Sequence, residues 1–283
     1  MASSRMRTPL GGAVVLITGA ASGIGKEMAE GAAHRGAKHV IVWDIEEEGG
    51  EIAASEIRSF GANATYYRVD LTDPDDVAAV GKRVLAEHGR VDVLINNAGI
   101  VTGKDFLDLT EEEIARTFDI NALALYRTTR VFLPGMIERG KGSVTTIASA
   151  AGLLGVARQT DYSASKFAAV GFTESLRAEL RHHGNPLHTL IVHPYYTNTR
   201  MFDGVKSRVS ALLPILDTEE VAARILDAIE AGNQSLVMPR FAATIRLMKC
   251  LPVPVLDRVT DLFGIHSTMD EFVGHSGKRG DSQ

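Results

Sequence analysis

The sequence predicts an α/β fold organised on a doubly wound parallel sheet, and three observations predict it. Short, β-branched apolar runs alternate with longer amphipathic stretches through about residue 240. The runs are apolar at successive positions, so both faces of each strand are buried, as in a sheet covered by helices on both sides. A glycine cluster stands between the first run and the first amphipathic stretch, where a strand turns directly into a helix. Right-handed crossovers then wind the helices onto both faces.

Taken in order, the predicted strands are Ala13–Thr18 (AVVLIT), His39–Trp43, Ala64–Val69, Val91–Asn96, Ser143–Ile147 and Leu187–His193, with Ser235–Met238 a weaker seventh. Between them the 3.6-residue period predicts helices over Gly25–Arg35, Glu46–Phe60, Asp75–His88, Thr110–Arg139, Tyr162–His183 and Glu219–Ala231. No internal repeat or low-complexity linker divides the chain, so 1–283 reads as one domain with its core at about 10–240. Residues 241–276 break the alternation. They read as a C-terminal extension of two short amphipathic helices around a proline, covering the main domain, a second subunit or a membrane surface. The last residues, 277–283, read as a tail.

Bulk properties narrow the function classes. The 283 residues are 45% hydrophobic and 23% charged with a formal net charge of -5, an ordinary globular balance without the basic stripe a nucleic-acid partner requires. Cys250 is the single cysteine, so no internal disulfide forms and a reducing compartment is indicated. Arg5 and Arg7 are followed by no apolar run before the first strand, and no stretch offers about 20 uncharged apolar residues. The expectation is a cytoplasmic protein without signal peptide or transmembrane span, with peripheral membrane contact through 241–276. The histidines have no metal-ligand spacing, so no metal is expected.

The polar and glycine clusters gather where the predicted strands end. Thr18-Gly19-Ala20-Ala21-Ser22-Gly23-Ile24-Gly25 follows the first, and its glycines let the backbone approach a pyrophosphate seated on a helix N-terminus. Asp44 follows the second, roughly 20 residues on, where a carboxylate accepts hydrogen bonds from ribose hydroxyls and repels a 2′-phosphate. With no Arg or Lys in the glycine loop or directly after Asp44, the pattern favours NAD over NADP. Asp70-Leu71, Asn96-Asn97-Ala98-Gly99, Ser149 and Pro194 follow the next four strands. Open α/β sheets bind ligands at that edge. Tyr162 and Lys166, four apart at the start of a helical pattern, share one face. An adjacent ammonium favours the phenolate, so Lys166 is expected to draw the Tyr162 hydroxyl below its usual value of about 10. Ser149 can hold a substrate oxygen beside Tyr162. Taken alone, such a Tyr/Lys pair is an ordinary surface pair.

Thr18–Gly25, Asn96–Gly99, Ser149 and the run Tyr162-Ser163-Ala164-Ser165-Lys166 together resemble the short-chain dehydrogenase/reductase family, from about Leu10 to about Arg240. The resemblance implies a seven-stranded Rossmann fold with Ser149, Tyr162 and Lys166 catalytic. It adds Asn121 as a fourth residue, helping to hold a water that links the lysine to solvent, which is compatible with reading Asn121 as a polar residue that kinks its helix. Cofactor contacts are expected from Gly19, Ser22, Gly23, Ile24, Gly25, Asp44, Ile45, Asp70, Leu71, Asn97, Ala98, Gly99, Pro194, Thr197 and Thr199, besides Tyr162 and Lys166. The family's usual Pro-Gly pair reads Pro194-Tyr195 here, and Thr197 stands where Val or Ile is common. Long helices such as Thr110–Arg139 and Tyr162–His183 pair across a two-fold axis in the family, which implies a homodimer or homotetramer.

These readings predict an oxidoreductase that moves a hydride between NAD(H) and an alcohol or carbonyl. Met201, Phe202, Val205, Val209, Leu212, Leu213, Ile215 and Leu216 make the segment after Pro194 either an apolar pocket or a lid anchored on the core. Met201–Val205, Leu212–Leu216 and Met269–Gly274 resemble the retinol and 17-beta-hydroxysteroid dehydrogenase-like branch, which implies a steroid, retinoid or long-chain alcohol. The alternatives are a reductase of small polar ketones or 3-oxoacyl thioesters, and, more remotely, a non-catalytic dinucleotide-binding regulator.

Overall fold

A computed structural model describes residues 7–185, 187–206 and 208–273. The expected tail at 277–283, the end of the extension from 274, and Met1–Met6 lie outside the described residues. Seven strands form one parallel sheet in the order β3-β2-β1-β4-β5-β6-β7. They are β1 (Val14–Thr18), β2 (His39–Asp44), β3 (Ala64–Arg68), β4 (Val93–Asn96), β5 (Ser143–Ile147), β6 (His188–Pro194) and β7 (Ser235–Met238). The order reverses between β1 and β4, and a crevice opens at the carboxyl ends of the strands there.

Alternation in the strands explains the two covered faces. Val15 and Ile17 of β1 join one core with Val40 and Val42 of β2, beneath α1 (Gly23–His34), α2 (Glu47–Ser59) and α7 (Thr218–Glu230). Val14 and Leu16 point the other way, with Ile41 and Trp43, beneath α3 (Pro74–His88), α5 (Ala124–Arg139) and α6 (Thr160–His182). Each fully buried Leu or Ile contributes about 1.5–3 kcal/mol, so β1 alone ties both layers to the sheet.

The predicted helix Thr110–Arg139 is interrupted. It runs as α4 (Glu111–Phe118), a π-helical turn over Asp119–Leu123 and α5. Thr110 and Glu113 form a reciprocal capping box that starts α4. The π turn falls where the Asn121 side chain bonds the backbone of Ile100, so a tertiary contact widens a helix that local pattern alone continues.

The C-terminal extension folds back onto the catalytic domain as α8 (Ile245–Met248) and α9 (Val253–Leu262), the latter started by Pro252. Ala242, Thr260 and Met269 are fully buried, while Leu247, Val253 and Leu262 are exposed. Among the described residues no helix is long and apolar enough to cross a membrane, and no cluster of three His, Cys, Asp or Glu could hold a metal ion.

Candidate active site

The glycine loop takes its shape from backbone contacts. Gly19 has φ +66, and a Cβ there would stand 2.7 Å from Ala98 Cα. At Gly25 a Cβ would meet Gly19 O at 2.1 Å and Asn97 Nδ2 at 2.6 Å. Neither position can carry a side chain without moving backbone. Asn97 Nδ2 donates to the carbonyls of Thr18 and Gly19, and the Thr18 hydroxyl accepts from the amides of Asn97 and Ala98. The end of β4 thus braces the loop after β1. Ser22 caps α1 without a side-chain hydrogen bond, and the first turn holds no acid, leaving its amides to an anion. That cradle fits a dinucleotide pyrophosphate.

Beyond the cradle, Asp44 Oδ2 accepts from Ala21 N at 2.9 Å and Oδ1 from Glu46 N at 3.1 Å, fixing the carboxylate at the crevice edge. Asp70 accepts from the amide and hydroxyl of Thr72, which hold its carboxyl below the usual range. Of the sequence-predicted site residues, all but Gly25 and Asn121 line one cleft of about 1790 Å³. Gly25 shapes the loop from behind. Asn121 supports from below: its amide bonds the N and O of Ile100 and donates to Ser165 Oγ at 3.0 Å. A Cβ on Gly99 would lie 3.2 Å from both Asn121 Oδ1 and Lys166 Nζ, so a side chain there would crowd the amide and the ammonium together.

Ser149 follows β5, and Tyr162 and Lys166 open α6, all three nearly fully buried. The Ser149 side chain adjoins the Tyr162 hydroxyl in the same cleft. Lys166 Nζ lies 5.6 Å from the Tyr162 ring centroid and donates to Ile147 O at 3.0 Å. Burial pushes Lys166 down to about 8. The expected lowering of Tyr162 by Lys166 does not occur: burial, with Tyr196 adding to it, drives the phenol well above its ordinary value, and Ser149 alone opposes the rise. The structure therefore holds a protonated phenol against a serine hydroxyl, able to donate to an oxygen placed between them.

Tyr195, in place of the family's glycine, needs no glycine backbone: Arg158 is the one non-glycine residue with positive φ among those described. The loop after β6 does both things expected of it. Tyr195, Tyr196, Met201, Phe202 and Leu213 line the cleft, while Val205 and Leu216 are anchored in the core. Thr199 packs against the glycine loop, its Cγ2 3.3 Å from where a Gly23 Cβ would stand.

Sequence reasoning missed three features. The extension lines the cleft through Phe241, Ile245, Met248, Phe263, Ile265 and Phe272. Asp161 is buried and accepts hydroxyl bonds from Thr102 and Thr117, tying α4 and the loop after β4 to the start of α6. His193, fully buried, lies with Nδ1 3.4 Å from Ser149 O and Nε2 3.4 Å from Arg246. Only Asp161, directly before Tyr162, carried a signal in its position.

Comparison with known proteins gives the same answer as the geometry. The family model described as short chain dehydrogenase matches residues 13–210. The mouse protein named epidermal retinol dehydrogenase 2 is 38% identical over 278 residues, spanning 97% of this chain and 90% of that one. Human 17-beta-hydroxysteroid dehydrogenase 13 is 34% identical, spanning 96% and 89%. A Burkholderia phymatum short chain dehydrogenase/reductase solved in complex with NAD superimposes with a TM-score of 0.77 at 27% identity, covering 86% of this chain and 94% of that one. A metagenomic short-chain oxidoreductase solved with NADP gives 0.67 at 30% identity, covering 81% and 96%. The chain belongs to the short-chain dehydrogenase family and is an oxidoreductase.

Proposed function

We propose that this family member moves a hydride between NAD(H) and a lipophilic primary or secondary alcohol or its carbonyl. The observation that carries this reading is where the Tyr162–Ser149 pair lies. It stands in one cleft with the glycine cradle on one side and, on the other, a wall to which the C-terminal extension contributes no charged residue. The nicotinamide, when bound, supplies the hydride acceptor or donor. Tyr162 donates a proton to the carbonyl oxygen or takes it from the alcohol, and Ser149 holds that oxygen in line. Lys166 places a charge beside the phenol and reaches toward a cofactor ribose, with Asn121 bonded to Ser165, its neighbour in the chain. The names of the retinol and hydroxysteroid dehydrogenases among its relatives support a lipophilic substrate.

NAD is the preferred cofactor in this reading. Asp44 and Glu46 together line the cleft end where a 2′-phosphate would bring a further negative charge. A polar thioester carrier would want basic groups, and of the residues that the loop after β6 brings to the cleft only Arg200 is basic. Exposed Leu123 at the end of the π turn and Tyr126 and Ile137 on α5, with Phe167 on α6, support a homodimer or homotetramer, which light scattering reads directly. The exposed Leu247, Leu251, Val253 and Val255 beside Lys249 support peripheral membrane contact by a cytoplasmic protein, which liposome flotation checks. The substrate reading is tested by following reduced-nicotinamide absorbance with NAD and NADP against retinol, steroids, fatty alcohols and small polar alcohols. Turnover confined to the small polar set refutes it.

A further inference from the structure

Arg158 adopts a backbone conformation that non-glycine residues rarely take, with φ 60, four residues before Tyr162. Such a residue persists only where its surroundings hold it. Its side chain reaches across to a distant segment: Nη1 donates to Met269 O at 2.8 Å and Asp270 O at 3.3 Å, while Nε lies 3.9 Å from the exposed Asp105 carboxylate. The next residue, Gln159, caps α6 and donates through Nε2 to the Tyr196 hydroxyl, which bonds Thr268 Oγ1 at 2.9 Å. Two adjacent residues at the head of the catalytic helix thus grip the segment Thr268–Val273.

Two other loops are cut to the same segment. Gly204, with φ +88, would place a Cβ 2.1 Å from Glu271 O, and Gly103, with φ +71, would place one 2.1 Å from the Phe272 ring. The Val273 amide donates to Asp203 O, and the Lys206 amide to Thr268 O. Met269 is fully buried and Phe272 faces the cleft. Loops following β4, β5 and β6 therefore converge on one strap, which lies beyond the stretch matched by the family model.

We infer that Arg158 is a positioning residue for substrate selection: it clamps the 268–273 strap so that Phe272 forms a fixed apolar wall for the non-reacting part of the alcohol. The inference rests on the substrate reading above. It assigns Arg158 no part in proton or hydride movement and no contact with the dinucleotide. Loosening the strap then weakens binding of a lipophilic alcohol and leaves both the chemistry on a small alcohol and the cofactor site as they were.

The test compares wild type with Arg158→Ala and Phe272→Ala in the full-length protein. Amide hydrogen exchange over 268–273 should quicken at least tenfold in Arg158→Ala, with α1 unchanged. KM for a lipophilic alcohol should rise about tenfold or more in both variants, and in Arg158→Ala kcat on a short secondary alcohol and NAD affinity should stay within about twofold of wild type. Arg158→Lys, which keeps a donor, should recover part of the KM. Unchanged exchange in the strap, or faster exchange with KM unmoved, overturns the clamp. So does a matched loss of NAD affinity and small-alcohol kcat, which is the mark of general destabilisation. If the wild type oxidises no lipophilic alcohol, the substrate reading fails separately. The exchange measurement and the KM comparison on whichever larger alcohol it does oxidise still decide the clamp.

Discussion

The two ends of the cleft are built by different means. The dinucleotide end is made of backbone: glycines pressed against Ala98 and Gly19 O, helix amides left free behind Ser22, and one carboxylate held by two amides. The substrate end is made of side chains brought from distant parts of the chain, with Phe272, Phe263 and Ile245 meeting Tyr196 and Phe202. The first end depends on close backbone approach, between the loop after β1 and the end of β4 included, and tolerates few residue types. The second can be rebuilt by changing side chains on a common scaffold, which is how one fold serves many substrates.

The sharpest way to separate the two ends is to act where they meet. Tyr162→Phe removes one hydroxyl and keeps the ring that packs edge-on to Phe202. Turnover should fall about 10³-fold, within the range for loss of a positioned acid/base, while NAD affinity stays within a factor of about three. Transient turnover and equilibrium titration of NAD measure the two quantities. Near-normal turnover would remove Tyr162 from the chemistry.

Gly25→Ala strikes the dinucleotide end alone. Its Cβ would collide with Gly19 O, which is backbone and cannot swing aside. Overpacking of this kind costs about 1–3 kcal/mol, and NAD affinity should fall by up to about a hundredfold, the same energy expressed as binding. The same change at Gly155, where a Cβ meets nothing within 4 Å, should do neither and serves as the control. Calorimetry of both variants decides this.

Asp44→Ala tests whether the acidic end of the crevice chooses the cofactor. Loss of a charged acceptor is worth about 1.5–3 kcal/mol, so the ratio of kcat/KM for NAD over NADP should fall ten- to a hundredfold. An unchanged ratio would move the choice to other residues. Because the carboxylate also holds Ala21 N, some loss of affinity for both cofactors is expected alongside the change in ratio.

How far the sequence foretold the molecule follows the same division. The strands, their winding into one parallel sheet and the glycine cradle were legible because burial on both faces and backbone sterics write themselves into local residue types. The Rossmann fold and the family were legible from Thr18–Gly25, Asn96–Gly99 and the Tyr162–Lys166 run for the same reason. A kink at Asn121 was readable from its polarity, but its π form and cause were not, because Ile100, which the asparagine bonds, lies 21 residues away. The strap was not, because Arg158 and Met269 are 111 residues apart and neither type is distinctive. The upward shift of Tyr162 was not, because helical spacing places Lys166 nearby but says nothing of burial, which dominates the phenol.

The smallest effect joins the ends through a group that neither uses directly. His193 lies under Ser149 and against Arg246 of the extension, and burial, helped by that guanidinium, pushes it down to about 4. Unfolded, it titrates near 6.5. Between those values the unfolded chain holds a proton that the folded chain lacks, so stability rises with pH across that window and is lost as pH falls from 6.5 toward 4. The contribution from this ring should be about 2 kcal/mol between pH 7 and pH 5. His39, also pushed down to about 4, and His188 titrate on folding in the same direction. The measure is therefore the difference between wild type and His193→Asn in urea midpoint at the two pH values, with the variant losing less on acidification. Equal losses would mean that His193 keeps an ordinary proton affinity and that Arg246 does not reach it through the sheet edge.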